Sequence, residues 1–376
     1  MTSTSEYDVV IVGGGPAGSA AGRTLAGSGM RALIVEKTRH PRPKPCGGLL
    51  SGRSLGAIDA VFGAEVRARV SLAETHGCRM FLRDRLIGEV TDGPQLALTQ
   101  REVLDETLFR AAASAGCDAR EGVAVAGVRP ARGEVVLASG EALHARVIVV
   151  ANGASGLVAR RGRRRAGFGL VAEAPVDLLA EDSPLPRIHF GLLPWGYGWM
   201  FPRGDTVNIG VGAMLCRGTD FRGALRDLVA MTCRPGAWER MKPRGHRLPY
   251  GGTLAHPGRA NVLNAGDAAG FVEPLTGEGI AFALDSGRLS AEAALEALAT
   301  GHPARAGRRY NKLARRHILP HLRAARFARQ VFFRRGMFNR AMRALEREPD
   351  RIRWFLEILA GEITYGEYFR RLRRSV

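Results

Sequence analysis

Between the apolar run Val9-Val10-Ile11-Val12 and a helix-forming segment stand Gly13, Gly15 and Gly18 in the spacing GxGxxG, with Pro16 and Ala17 opening the helix. Glu36 closes the next apolar run, Ala32-Leu33-Ile34-Val35, and Lys37 follows it. Each residue type meets a need of dinucleotide binding. Gly13 permits the tight turn, Gly15 lets the backbone approach a pyrophosphate, and Gly18 lets the helix pack closely on the strand. The pyrophosphate would rest at a helix N-terminus, where free N–H groups and the dipole favour an anion. Glu36 would accept hydrogen bonds from ribose hydroxyls. Strand, turn, helix, strand and acid come in the required order, so the N-terminal segment is expected to bind a dinucleotide.

Other segments also carry residues suited to chemistry. Cys46-Gly47-Gly48 follows Pro43-Lys44-Pro45, and two glycines after a cysteine let backbone N–H groups approach a planar ring. In Tyr197-Gly198-Trp199-Met200-Phe201, strand alternation puts Tyr197, Trp199 and Phe201 on one face. Three aromatics on one face are suited to wall an apolar channel. His317 and His321 stand four apart, but Pro320 lies between them and no third ligand is evident, so no metal is expected.

The elements that must position these residues follow from periodicity. Arg101, Leu104, Asp105, Leu108 and Ala112 recur at helical spacing, with Gly116 as the stop. Val147-Ile148-Val149-Val150 is a continuous apolar run, expected of a buried parallel strand, and leads into Ala151-Asn152-Gly153-Ala154-Ser155. From 166 to 250 short strand-like runs alternate with turns and imply an inserted antiparallel sheet, with one helix near 221–231. Ala260–Asn264 is expected to be a strand, followed by a glycine-rich loop and a helix over about 278–299. Beyond 303 the pattern is helical: Phe327, Val331, Phe338, Met342 and Leu345 form one stripe, with Gly336 as a point of interruption. The fold class is α/β: a Rossmann-like dinucleotide-binding domain from residues 1–75, 99–165 and 251–302, a β-sheet substrate domain from 76–98 and 166–250, and a helical C-terminal region from 303–376.

Composition narrows the classes. The chain of 376 residues, 45% of them hydrophobic, can bury a large core, and no apolar run approaches the ~18–20 residues of a membrane span. The polar start at Met1–Tyr7 lacks the order of a signal peptide, and five scattered cysteines without a CxxC point to a reducing, cytoplasmic setting. The formal charge is +19, and residues 301–376 hold 20 Arg or Lys against 6 Asp or Glu. That clustering implies an anionic surface as partner, with peripheral contact at the inner face of a membrane expected and nucleic acid not.

With Cys46-Gly47-Gly48, Tyr197-x-Trp199-x-Phe201-Pro202, Asn264-Ala265-Gly266-Asp267 and Pro274-Leu275-Thr276-Gly277-Glu278-Gly279-Ile280 in this order, the chain resembles the geranylgeranyl reductase family of FAD-dependent oxidoreductases, which shares the fold of para-hydroxybenzoate hydroxylase. The resemblance runs from about Tyr7 to residue 300. It implies FAD as cofactor, with Cys46 and Gly47 beside the isoalloxazine ring, Arg101 reaching the phosphates or ribityl chain, and Gly266 and Asp267 at a ribityl hydroxyl. It puts Gly277, Gly279 and Ile280 at a helix N-terminus facing the ring, where the dipole would stabilise negative charge by roughly 0.3–1 kcal/mol. Gly153 lies in the segment where the family has Asp-Gly; here Asn152 stands in place of the acid and cannot supply its charge, and Arg160 follows. The aromatic motif also resembles that of flavin halogenases, but Tyr197 and Phe201 depart from it.

No second strand–GxGxxG–helix unit occurs, so electrons are expected from a transiently bound NADPH or NADH or from a reduced carrier such as ferredoxin. The implied reaction is reduction of carbon–carbon double bonds in a prenyl chain by hydride from flavin N5. Cys46, Tyr197 and Trp199 are the candidate catalytic residues, and Tyr197, Trp199 and Phe201 would hold the chain. Cys46 stands either as proton donor or as packing group. Phe332, Phe333 and Trp354 would bury at the membrane interface. The alternative is a monooxygenase acting through a flavin C4a-hydroperoxide.

Overall fold

The structure, a computed structural model, describes residues 7–154, 167–180, 184–250, 252–334 and 336–374. In chain order the elements begin with β1 (Tyr7–Val12), α1 (Pro16–Leu25), β2 (Ala32–Glu36), β3 (Leu49–Leu50), α2 (Gly52–Phe62), α3 (Ala64–Val70), β4 (Ala73–Thr75), β5 (Cys78–Leu82), β6 (Arg85–Val90), β7 (Leu96–Leu98) and α4 (Arg101–Ser114). There follow β8 (Asp118–Glu121), β9 (Val125–Arg129), β10 (Glu134–Leu137), β11 (Ala142–Val150), β12 (Gly167–Pro175), β13 (Arg187–Phe190), β14 (Gly196–Arg203), β15 (Thr206–Met214), α5 (Phe221–Thr232), β16 (Arg244–Leu248), β17 (Gly258–Arg259), β18 (Val262–Asn264) and α6 (Ile280–Ala299). The C-terminal helices are α7 (Ala306–His317), α8 (Leu319–Phe332), α9 (Met337–Arg347), α10 (Asp350–Ala360) and α11 (Tyr365–Arg374).

The first sheet has the order β17-β18-β11-β1-β2-β8, parallel along this path except at the β17 edge, and the antiparallel β9–β10 hairpin joins it at β11. Val9–Val12 of its central strand β1 are all apolar because both faces are covered. Val9 and Ile11 pack under α1, α6 and α7, while Val10 and Val12 pack under the β9–β10 hairpin. The expected strand over 260–264 is shorter. Ala260 takes φ +49°, and with Asn261 it forms the turn between β17 and β18.

The second sheet runs β16-β12-β15-β14-β13-β5-β6. It is not wholly antiparallel as expected: β13 pairs parallel with β5, joining Arg187 to Arg79. That pairing ties the segment before α4 to the segment after β11, a contact no local pattern encodes. One face, with Met200, Ile209 and Val211, is covered by α5; the other, with Trp199, Phe201 and Val171, faces the first sheet's helices across a cavity.

The expected single stripe through Phe327 and Leu345 is divided between α8 and α9, and Gly336, at φ +83°, caps the start of α9. Phe327 is 63% exposed, whereas Met342 and Leu345 pack on Met80, Ile87 and Phe190 of the second sheet. The C-terminal region is thus no loose basic tail. Tyr310 of α7 is fully buried and donates to the Asn264 carbonyl at 3.0 Å. Its helices close the open side of the second sheet.

Candidate active site

A cavity of about 1220 Å³ runs between the two sheets and under the C-terminal helices. A single drug-sized ligand occupies ~300–1,000 Å³, so the space suits a dinucleotide together with a second molecule. Its two ends differ in chemistry.

At one end the first turn of α1, whose N–H groups have no intrahelical acceptor, opens onto the cavity through Gly15, Pro16 and Ala17. The turn before it depends on missing side chains. Gly13 has φ +107°, and a Cβ on Gly18 would lie 1.8 Å from the Gly13 carbonyl oxygen. Gly18 therefore packs rather than lines the cavity. Glu36 accepts the Gly14 N–H at 2.7 Å and the Thr38 N–H at 3.0 Å. Burial opposes its ionisation, but these donors and Arg42 hold its carboxyl below the usual range. Lys37 lies exposed at the cavity rim.

Arg101 does line this end, but its Nε and Nη2 are committed to Asp105, each at 2.8 Å. Arg42 completes the cluster at 3.1 Å from the same carboxylate. Burial works against the charge on Asp105, and Arg101 outweighs it, keeping the carboxyl below the usual range. Lys44 pairs with Asp267 at 3.4 Å. Neither Arg42 nor Lys44 stood out in the sequence, because nothing local marks an arginine or lysine as facing an acid 60 or more residues away.

In the middle, Cys46-Gly47-Gly48 meets the aromatic strand. A Cβ on Gly47 would lie 3.0 Å from both Trp199 Nε1 and Phe201 Cε2, and Gly48 takes φ +77° with Thr99 O pressed against it. The Cys46 side chain packs at the edge of the cluster formed by Leu50, Ile58, Leu104 and Ile280. Tyr197, Trp199 and Phe201 share one face as expected, with successive centroids 6.0 and 6.3 Å apart. Gly210 opposite Trp199 is what admits the indole: a Cβ there would lie 2.3 Å from the ring. Trp199 Nε1 donates to Asn208 at 2.8 Å, so the ring is fixed.

The loop before α6 forms the opposite wall through Gly266, Asp267, Gly277, Gly279 and Ile280, and Gly279 caps the helix. The loop is clamped from both sides: Tyr197 donates its hydroxyl to the Thr276 carbonyl, and Tyr250 donates to that of Leu275 at 2.8 Å. From the C-terminal helices, Tyr365 donates to Glu273 at 2.5 Å and buried Arg329 to the Pro274 carbonyl at 3.3 Å. Burial raises the Glu273 carboxyl above its usual range despite these donors. Glu273, Tyr250, Tyr365 and Arg329 escaped the sequence reading, since only the packing of α8 and α11 on this loop reveals them.

Gly153 takes φ +77° beside Asn152, which borders the cavity and whose buried Oδ1 has no hydrogen-bond partner among the described residues. Ser155 and Arg160 lie outside the described residues. The glycine cradle, this unpaired acceptor and the α6 N-terminus all face one continuous space, and together they fit an FAD.

Beyond the aromatics the lining is mostly apolar, with Arg340 and Arg351 as the charged exceptions. Cys78, Met80, Ile188 and Phe190 supply the sheet side, and Phe332, Ala341, Ala344, Phe355 and Leu356 supply the helical side.

This is the architecture of a two-sheet flavoprotein oxidoreductase. Residues 6–208 match the FAD binding domain family. The chain is 33% identical over 326 residues to menaquinone reductase of Mycobacterium tuberculosis, covering 78% of this chain and 77% of that one. It is 29% identical over 315 residues to geranylgeranyl diphosphate reductase of Rhodobacter capsulatus, covering 80% and 78%. The fold matches a geranylgeranyl bacteriochlorophyll reductase-like protein of Thermoplasma acidophilum with a TM-score of 0.78 at 21% identity, over 98% of this chain and 99% of that one. The chain belongs to the geranylgeranyl reductase family of FAD-dependent oxidoreductases.

Proposed function

We propose that the protein saturates carbon–carbon double bonds in the prenyl chain of a quinone, lipid or prenyl alcohol. The observation that carries this reading is the apolar tunnel that continues from the fixed aromatic wall of Tyr197, Trp199 and Phe201 into the roof made by α8, α9 and α10. A polar aromatic substrate would not need it. Bound FAD supplies a hydride once it is reduced. Gly47 and Gly48 leave a flat surface beside Cys46, Glu36 and the α1 turn hold the adenosine end, and the aromatics align the chain. An isolated alkene has no carbonyl to polarise, so positioning and exclusion of water must supply much of the catalysis. When the reduced protein meets geranylgeranyl diphosphate without air, the oxidised flavin absorbance should return; for menaquinone, whose quinone ring can itself take the electrons, the prenyl chain should gain hydrogens, and no gain in either chain would contradict the reading. Parallel reductions with NADPH, NADH and reduced ferredoxin identify the electron donor.

The tunnel also suggests where a lipid-borne chain enters. Phe332 packs on Phe190 and Phe338, Phe333 is half-buried and stacks on Phe338, and Arg371 lies over half-buried Trp354. Among the described residues of the C-terminal helices, the large exposed apolar groups are Phe327, flanked by exposed Arg323 and Arg326, and Met337, which borders the cavity beside exposed Arg340. Apolar groups among arginines match an anionic bilayer surface. Binding to vesicles rich in anionic lipid is expected to weaken at least tenfold from low to high salt, and again in Phe327→Ser with Met337→Ser. Binding indifferent to both would remove the membrane from the account. Deleting 303–376 is no test, because Tyr310 and Ala314 belong to the main core.

A further inference from the structure

Saturating one double bond consumes a hydride and a proton. The π bond breaks, one C–H bond forms with the hydride and its two electrons, and the second forms with H⁺. The reduced cofactor supplies the hydride; the protein must place the proton.

We propose that Glu278 delivers that proton, with Ser51 and Ser54 as the hydroxyl donors that receive the charge left behind. The proposal rests on the reductase reading above. Glu278 lines the cavity in the loop between Tyr197 and the start of α6. Its Oε1 accepts from the Ser51 hydroxyl and from the Ser54 hydroxyl at 3.1 Å. Its Oε2 is buried and has no hydrogen-bond partner among the described residues. A carboxylate in that position leaves an acceptor unsatisfied, whereas a carboxylic acid has a hydrogen to give. Ser51 caps α2, and its oxygen also accepts the Ser54 N–H at 3.2 Å, so the pair is locked by the helix start.

The electrostatics agree. Burial raises the Glu278 carboxyl to about 7, opposed by the Ser51 hydroxyl and by Arg53 on α2 and reinforced by Glu273 on its own loop. Tyr197 of β14 and Tyr365 of α11 feel its charge and are themselves raised by burial, so neither hydroxyl ionises to compete. The acid is thus poised near neutral pH, where general acids work best. After transfer the carboxylate is held by two hydroxyl donors and Arg53 until solvent reprotonates it.

Cys46 is the rival donor on the same cavity. Its Sγ packs with apolar neighbours, and the charge that faces it, Arg101, is already committed to Asp105.

The test uses the full chain, with and without FAD, and menaquinone and geranylgeranyl diphosphate as probes. Infrared spectra of the wild type should show a carboxylic acid C=O band that vanishes as pH rises through about 7 and is missing from Glu278→Gln. Turnover of the wild type should fall over the same range, because the acid form is lost. Glu278→Gln should retain FAD and bind the probes, yet reduce them roughly 10²- to 10⁴-fold more slowly. Glu278→Asp should keep part of the activity with a displaced pH midpoint. Cys46→Ala should leave the pH profile in place. Wild-type reduction matched by Glu278→Gln would overturn the proposal alone, as would a Cys46→Ala protein that loses the pH dependence. A wild type that saturates neither probe would overturn the reductase reading and this step with it. If Glu278→Gln fails to hold FAD, the Glu278→Asp profile decides: a displaced midpoint supports the proposal and an unmoved one overturns it.

Discussion

Gly18→Ala is expected to give a chain that neither holds FAD nor folds stably at its N-terminal turn, while Gly15→Ala is expected to fold normally and lose the cofactor. The two glycines sit three residues apart but fail for different reasons. A Cβ on Gly18 would stand 1.8 Å from the Gly13 carbonyl oxygen and 3.3 Å from Ile11. Both are fixed, since Gly13 is held to Val35 at 2.8 Å and Ile11 is fully buried. Separating α1 from β1 to make room costs about 3–5 kcal/mol, the range of severe core lesions. A Cβ on Gly15 would meet only Arg42 Nη2, at 3.4 Å, which is ordinary van der Waals contact. Apoprotein stability should therefore change by less than about 1 kcal/mol. The same methyl group occupies the approach of a pyrophosphate, and FAD affinity should fall at least tenfold. Thermal unfolding of the two apoproteins, with FAD titration of each, separates these effects. Equal destabilisation by both would contradict the assigned roles.

The second large effect is expected in the tunnel. Ala341 and Ala344 lie one helical turn apart on the face of α9 that borders the cavity, and both are only partly buried. Ala344→Phe should push a ring into space reserved for the substrate chain. The free protein loses little, because the ring enters open volume rather than a packed core. A long prenyl substrate loses that volume, about 1–3 kcal/mol of binding, or 10- to 200-fold in kcat/KM. Reduction of the flavin should proceed at the wild-type rate. Shorter prenyl chains should suffer less. A uniform loss across chain lengths would place the substrate elsewhere.

The sequence made the cofactor end legible because its signals are local. Gly13, Gly15, Gly18 and Glu36 act within one strand–helix–strand unit, and alternation alone set Tyr197, Trp199 and Phe201 on one face. The rest depends on pairings distant along the chain. The parallel contact of β13 with β5 and the Lys44–Asp267 pair join segments with no shared period. The C-terminal helices showed their stripes but not the surface those stripes cover. In the fold their apolar side faces the tunnel. Arg329 illustrates the limit: one arginine among many in the sequence, it is fully buried, with its guanidinium over the Tyr250 ring. Glu278 stood in a motif already singled out, but its meaning comes from Ser51 and Ser54, more than two hundred residues earlier.

The central claim is that the cavity hosts hydride and proton addition to a prenyl double bond. Its most direct test is the mass of the product formed when the protein is reduced without oxygen, given menaquinone or geranylgeranyl diphosphate, and then exposed to isotopically labelled O₂. The account predicts a gain of two hydrogens for each bond saturated, complete before oxygen is admitted, with no labelled oxygen in the product. Intact double bonds, or an oxygen atom from O₂ in the product, would contradict it and point to a monooxygenase.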